Sequence, residues 1–162
     1  MGQFGHAILD SDQANDAIYD IITDILGLQI EDGHWRDRPD DVKDALMWPG
    51  SVLSLQAWLR NSHVLDYDIR AIVLTKVYMF AGVKLPLPLR LAARHAALKD
   101  KDDASLWDDY KPRAKIIRSF IRTLDAYVDT PTPLDDEPCE MTSIIKELQN
   151  KPKEQKCKKK AS

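Results

Sequence analysis

Four aspartates spaced four residues apart, Asp12, Asp16, Asp20 and Asp24, form the most ordered array of reactive side chains in the chain. On a helix each step of four residues advances about 40°, so all four carboxylates stay on one flank. Such an array could take a basic protein surface or, with suitable neighbours, a cation. It does nothing for its own helix, because like charges at i,i+4 cost roughly 0.2–0.5 kcal/mol per pair. No histidine lies near enough in sequence to build a metal site around it. The four aspartates are therefore assigned to binding a protein partner and not to a metal. Two other readings compete. The stripe is either a solvated face, or it is neutralised within the fold by Lys111, Lys115, Arg118 and Arg122 on a flank of the last helix.

The remaining chemistry-bearing residues are scattered. His6, His34, His63 and His95 show no ligand spacing, and no serine lies in a Gly-x-Ser-x-Gly elbow. There is no Gly-x-Gly-x-x-Gly, no phosphate-binding loop and no Cys-x-x-Cys. No catalytic residue and no cofactor is assigned, and the expectation is that the protein is not an enzyme. If it were one, a site gathered from distant residues such as His34, Asp37 or His63 would have to do the work. Cys139 and Cys157 lie outside the apolar segments; they could form a disulfide, but in a reducing cytoplasm free thiols are the favoured reading. Lys151, Lys153, Lys156, Lys158, Lys159 and Lys160 lack aromatic interleaving, so nucleic acid is an unlikely partner for them.

Charge is distributed unevenly. The whole chain of 162 residues carries −3, yet residues 1–50 hold 3 Lys/Arg against 11 Asp/Glu, a net of −8. Residues 51–100 hold 7 against 3, and residues 151–162 hold 6 against 1. An acidic front with a basic middle and tail predicts electrostatic contacts, within the fold or with a charged partner. No apolar run approaches the ~18 residues of a membrane span, and Asp10, Asp12 and Asp16 interrupt the start too early for a secretory signal. The expected location is the cytoplasm.

The elements that must position these residues are all helical. Apolar residues Ala14, Ala17, Ile18, Ile21, Ile22 and Ile25 recur at helical spacing opposite the aspartates, so a helix is expected from Asp10 or Ser11 to about Leu26, stopped by Gly27. Gly33 to Pro39 reads as a loop, Asp40 to Met47 as a short helix, and Ser51 as the cap of the next. From about Asp66 to Ala81 the chain is apolar on nearly every side, the mark of a central helix that others surround. On its richest apolar sector, Lys76 is expected to bury its stem and extend its ammonium to water or an acidic neighbour. Leu89 to Leu98 reads as helical, Lys99 to Asp103 as a loop, and Ser105 to Tyr110 as a short turn. Pro112 begins a last helix striped by Ile116, Ile117, Phe120, Ile121, Leu124, Tyr127 and Val128. No segment alternates with the period of a strand. The fold class expected is all-α: a compact single-domain bundle over residues 1–129, with a short irregular N-terminal segment. A Pro-rich acidic linker and a flexible Lys-rich tail, partly disordered, are expected over residues 130–162. Met141 to Gln149 could form a short amphipathic helix, and Phe4, framed by Gly2 and Gly5, is expected to pack onto the domain.

Three stretches carry a family resemblance. The start Met1-Gly2-Gln3-Phe4-Gly5, the Asp10-Ser11-Asp12-Gln13-Ala14-Asn15-Asp16 helix opening and the Asp103-Ala104-Ser105-Leu106-Trp107-Asp108-Asp109 segment resemble an uncharacterised bacterial family, a domain of unknown function. Its members typically begin Met-Gly-x-Trp-Gly and continue into an Asp-rich helix; here Phe4 stands in place of the Trp. The likeness covers about half the chain and implies an all-α bacterial cytoplasmic domain without supplying an activity. Small acidic proteins without catalytic motifs often look like immunity proteins, so the expected function is neutralisation of a cognate toxin by covering a basic surface of that partner. The alternatives are an enzyme with a pocket site that no motif betrays, or a nucleic-acid-associated protein using the basic tail and last helix.

Overall fold

Ser11 starts the first helix: its hydroxyl accepts from the Ala14 N–H at 3.1 Å, one of the donors a helix N-terminus leaves free. The computed structural model describes Leu9 and residues 11–29, 34–103 and 110–134. Phe4, the Ser105–Tyr110 turn as far as Asp109, both cysteines, Met141–Gln149 and the lysine tail lie outside the described residues. Among those described there are six α-helices and no strand: α1 (Asp12–Tyr19), α2 (Pro39–Met47), α3 (Pro49–Arg60), α4 (Val64–Phe80), α5 (Leu87–Asp103) and α6 (Tyr110–Ala126). The all-α bundle expected from the apolar spacing is the fold.

α4 is its axis. Every residue from Ala71 to Gly82 is buried, and α1, α2, α3 and α5 all pack on α4, while α6 packs on α5. A helix apolar on all sides has no other stable place than among its neighbours. α1 docks through Ala14, Ala17 and Ile18, and α6 through Ile116, Ile117, Phe120 and Leu124. Lys76 is drawn into the bundle: it is 4% exposed, and its ammonium lies 6.0 Å from the centre of the Phe120 ring, an aromatic face that attracts a cation.

Four local expectations need correction. The first helix does not run as one α-helix to Leu26 but widens into a π-helical segment over Asp20–Ile25, where the Leu26 N–H reaches the Ile21 carbonyl five residues back. The wider turn keeps Ile21 and Ile22 fully buried and leaves Ile25 only half-buried. His34–Asp37 forms a 3₁₀ turn leading into Pro39, the first residue of α2. Ser51 is no cap but a buried residue inside α3, which begins at Pro49 behind an extended Trp48. Finally, Lys99–Asp103 continues α5 for a further turn, because its charges find tertiary partners: Lys99 with Asp68 at 2.8 Å, and Asp100 with the buried Arg113 at 2.6 Å.

After α6 the chain does not leave the domain at once. The Tyr127 hydroxyl donates to the Val83 carbonyl at 2.8 Å, Arg90 donates to the Tyr127 carbonyl at 2.7 Å, and the Thr132 N–H donates to the Met79 carbonyl at 2.9 Å. Residues 127–134 thus strap the corner between α4 and α5, and Leu134 is buried. Burial, and then the Asp129 charge, push the Tyr127 phenol up to about 12. Since the folded value lies above the usual one near 10, this group favours folding fully below pH 10, and its contribution is lost as pH rises through 12. Unfolding free energies measured from pH 8 to pH 12 are therefore expected to separate wild type from Tyr127→Phe by a constant amount up to about pH 10, the gap closing above it. A gap that stays constant to pH 12 would remove this hydroxyl from the strap.

Candidate functional site: the acidic face of the first helix

The stripe is carried by two kinds of helix. Asp12 and Asp16 stand on α1, and Asp20 and Asp24 on the π-helical segment that continues it. Asp12 also lies in the first turn, where the helix dipole favours a negative charge. Asp12, Asp16 and Asp24 are exposed, and Asp20 is half-buried. The burial has a cause on α3: the Trp58 indole N–H donates to Asp20 Oδ2 at 3.1 Å. Trp58 is in turn held by Arg70 of α4, whose guanidinium lies 4.5 Å over the indole ring and donates to the Trp58 carbonyl at 3.0 Å. A chain of Arg70, Trp58 and Asp20 therefore fixes one carboxylate of the stripe to the bundle, and the other three project from it.

The cations expected to neutralise the stripe stand elsewhere. Lys115, Arg118 and Arg122 are exposed on α6, a helix that packs on α5. Among the described residues no ion pair joins them to Asp12, Asp16, Asp20 or Asp24; the Lys111 side chain lies outside the description. The ion pairs seen use other groups: Arg94 with Asp125 at 3.2 Å, and Arg38 with Asp41 at 3.6 Å on the surface. Such exposed pairs contribute little, about 0–1 kcal/mol.

The other residues considered do not gather. Asp37 ends the 3₁₀ turn, His63 precedes α4, both are exposed, and no hydrogen bond or ion pair joins them; the His34 side chain is outside the description. Among the described residues no group of three His, Cys, Asp or Glu converges as metal ligands would. No helix described is long and apolar enough to cross a membrane.

Residue spacing gave no hint of two features. Asp20 and Trp58 are 38 residues apart, and only the packing of α3 beside the π-helical segment brings them together. At the corner of α2 and α3, Met47, Trp48 and Leu53 are 63%, 66% and 68% exposed. No protein-family model, no curated protein and no solved structure matches the chain.

Proposed function

We propose that the protein is a binding protein of the immunity type, which neutralises a cognate toxin by laying the acidic face of its first helix over a basic surface of that partner. The observation that carries this reading is the state of the stripe: Asp12, Asp16 and Asp24 are exposed, and no ion pair engages them among the described residues. Like charges four residues apart on one helix flank repel one another, and turned outward they can steer a basic partner and repel acidic competitors. The net of −8 over residues 1–50 supports the same sign of partner. The resemblance of the first residues to the uncharacterised bacterial family adds a cytoplasmic bacterial setting, in which the toxin is the product of a neighbouring gene.

The test is a double charge reversal, Asp16→Lys with Asp24→Lys. Asp20 is left alone because it anchors Trp58. Both substituted positions are exposed, so the thermal transition is expected to stay within a few degrees of wild type. Association with the purified product of the neighbouring gene is expected to slow by about ten- to a hundredfold and to lose most of its salt dependence. A variant that binds at the wild-type rate and still protects cells would end the reading.

A second reading has an observation of its own, the open row of Lys115, Arg118 and Arg122 on α6. A nucleic acid held there would bind with strongly salt-dependent affinity. Removing all three charges would abolish binding to duplex DNA while leaving the partner of the acidic face unaffected.

A further inference from the structure

The exposed face of α3 is a surface in search of a cover, and it is independent of the acidic stripe. Pro49, Leu53, Ala57 and Arg60 recur at helical spacing and are all exposed. Trp48 stands at the head of this row. Its ring rests on Gly50 so closely that a Cβ there would meet ring carbon Cη2 at 2.6 Å. The indole is thus held against the first turn of α3 while two thirds of its surface faces solvent. A large aromatic kept exposed in a fixed place, next to an exposed leucine, is the form of an interface anchor and is uncommon on a surface with no partner.

The row is also complementary to itself when reversed. We infer that α3 is the contact of a two-fold dimer, in which two copies of this helix cross antiparallel about an axis near Leu53. In that arrangement the large Trp48 of one copy meets the small Ala57 of the other, and the two Leu53 side chains meet at the axis. Arg60 then arrives beside Trp48 and the C-terminal half of α2, where Asp44 is exposed. The chain shows the same chemistry twice within itself, with Arg36 5.3 Å over the Trp35 ring and Arg70 4.5 Å over the Trp58 ring. Trp48 has no such cation among the described residues, and Arg60 has no ion pair among them. The second copy supplies each with the other. Two-fold contacts of this self-complementary kind are the commonest among homo-oligomers. A standard interface buries about 800 Å² per partner. One helix face with a tryptophan at its head reaches only part of that, so the dimer is a dissociable one, with a dissociation constant on the order of micromolar.

Sedimentation of the purified full chain across about 1–500 μM at physiological salt tests this. Wild type is expected to pass from monomer to dimer within the range. Leu53→Glu places two like charges at the axis and is expected to weaken dimerisation by about a hundredfold, and Trp48→Ala by a similar factor. Should Leu53→Glu disturb folding, judged by its thermal transition, Ala57→Arg probes the same contact from an exposed position by filling the space that receives Trp48. Asp16→Lys is expected to leave the dimer intact, so loss of toxin binding by that variant bears on the acidic face alone. Wild type that stays monomeric throughout, or a dimer that tolerates Leu53→Glu or Ala57→Arg, would overturn the inference. So would a dimer that Asp16→Lys dissolves.

Discussion

Truncating Phe120 to alanine is expected to cost about 3–5 kcal/mol. Phe120 is 1% exposed and is the largest fully buried side chain among the described residues. It stands in the row Ile116, Ile117, Phe120 and Leu124 by which α6 joins the core, so the hole it leaves is lined by groups that cannot all collapse into it. A second loss adds to the cavity. The buried Lys76 ammonium lies 6.0 Å from the ring centre, and removing that face leaves the cation in a poorer environment. Domains of this size hold only about 5–15 kcal/mol in all, so the variant should unfold at a markedly lower urea midpoint with an unchanged slope. A loss under about 1.5 kcal/mol would mean that α6 is not seated on the core as described.

The helices whose reasons are local could be read before folding. α6 has a one-sided stripe and α4 is apolar all round, and each pattern has only one stable placement, half-buried for the first and central for the second. The outward direction of the aspartates followed from the same periodicity. What could not be read depends on partners far away in the chain. The π-helical widening at Asp20–Ile25 answers to packing against α3, and no residue type demands it. The charged end of α5 looked like a loop because its sequence offers no apolar face; Asp68 and Arg113, from other helices, are what hold it helical. The same holds for the candidate site. The four aspartates were visible as a row, yet nothing near Asp20 in sequence announces Trp58 or Arg70, which set it apart from the other three. Trp48 was hidden as well. Nothing in the spacing around it tells whether it is covered, and only the fold shows it exposed.

Gly82→Ala is expected to destabilise by about 3 kcal/mol, and Gly27→Ala by only about 1 kcal/mol, although both glycines end helices in the same way. Their backbones are nearly identical, with φ of +65° at Gly82 and +68° at Gly27, so each substitution forces alanine into a left-handed conformation costing about 1–2 kcal/mol. The surroundings separate them. A Cβ at Gly27 would find nothing within 4 Å, whereas one at Gly82 would meet the Pro131 ring at 2.7 Å and its backbone nitrogen at 2.9 Å. Backbone cannot step aside like the end of a long side chain. The strap would have to lift, straining the bond from the Thr132 N–H to the Met79 carbonyl and the burial of Leu134. The difference between the two variants therefore measures how firmly residues 127–134 are held on the α4–α5 corner, with the left-handed strain common to both cancelling. Urea unfolding of the two, together with Gly82→Ala in a Pro131→Ala background, completes the measurement. Part of the Gly82 penalty, about 1 kcal/mol, should disappear when the proline ring is gone. Equal losses for Gly27→Ala and Gly82→Ala would show that the strap yields freely and adds nothing to the stability of the bundle.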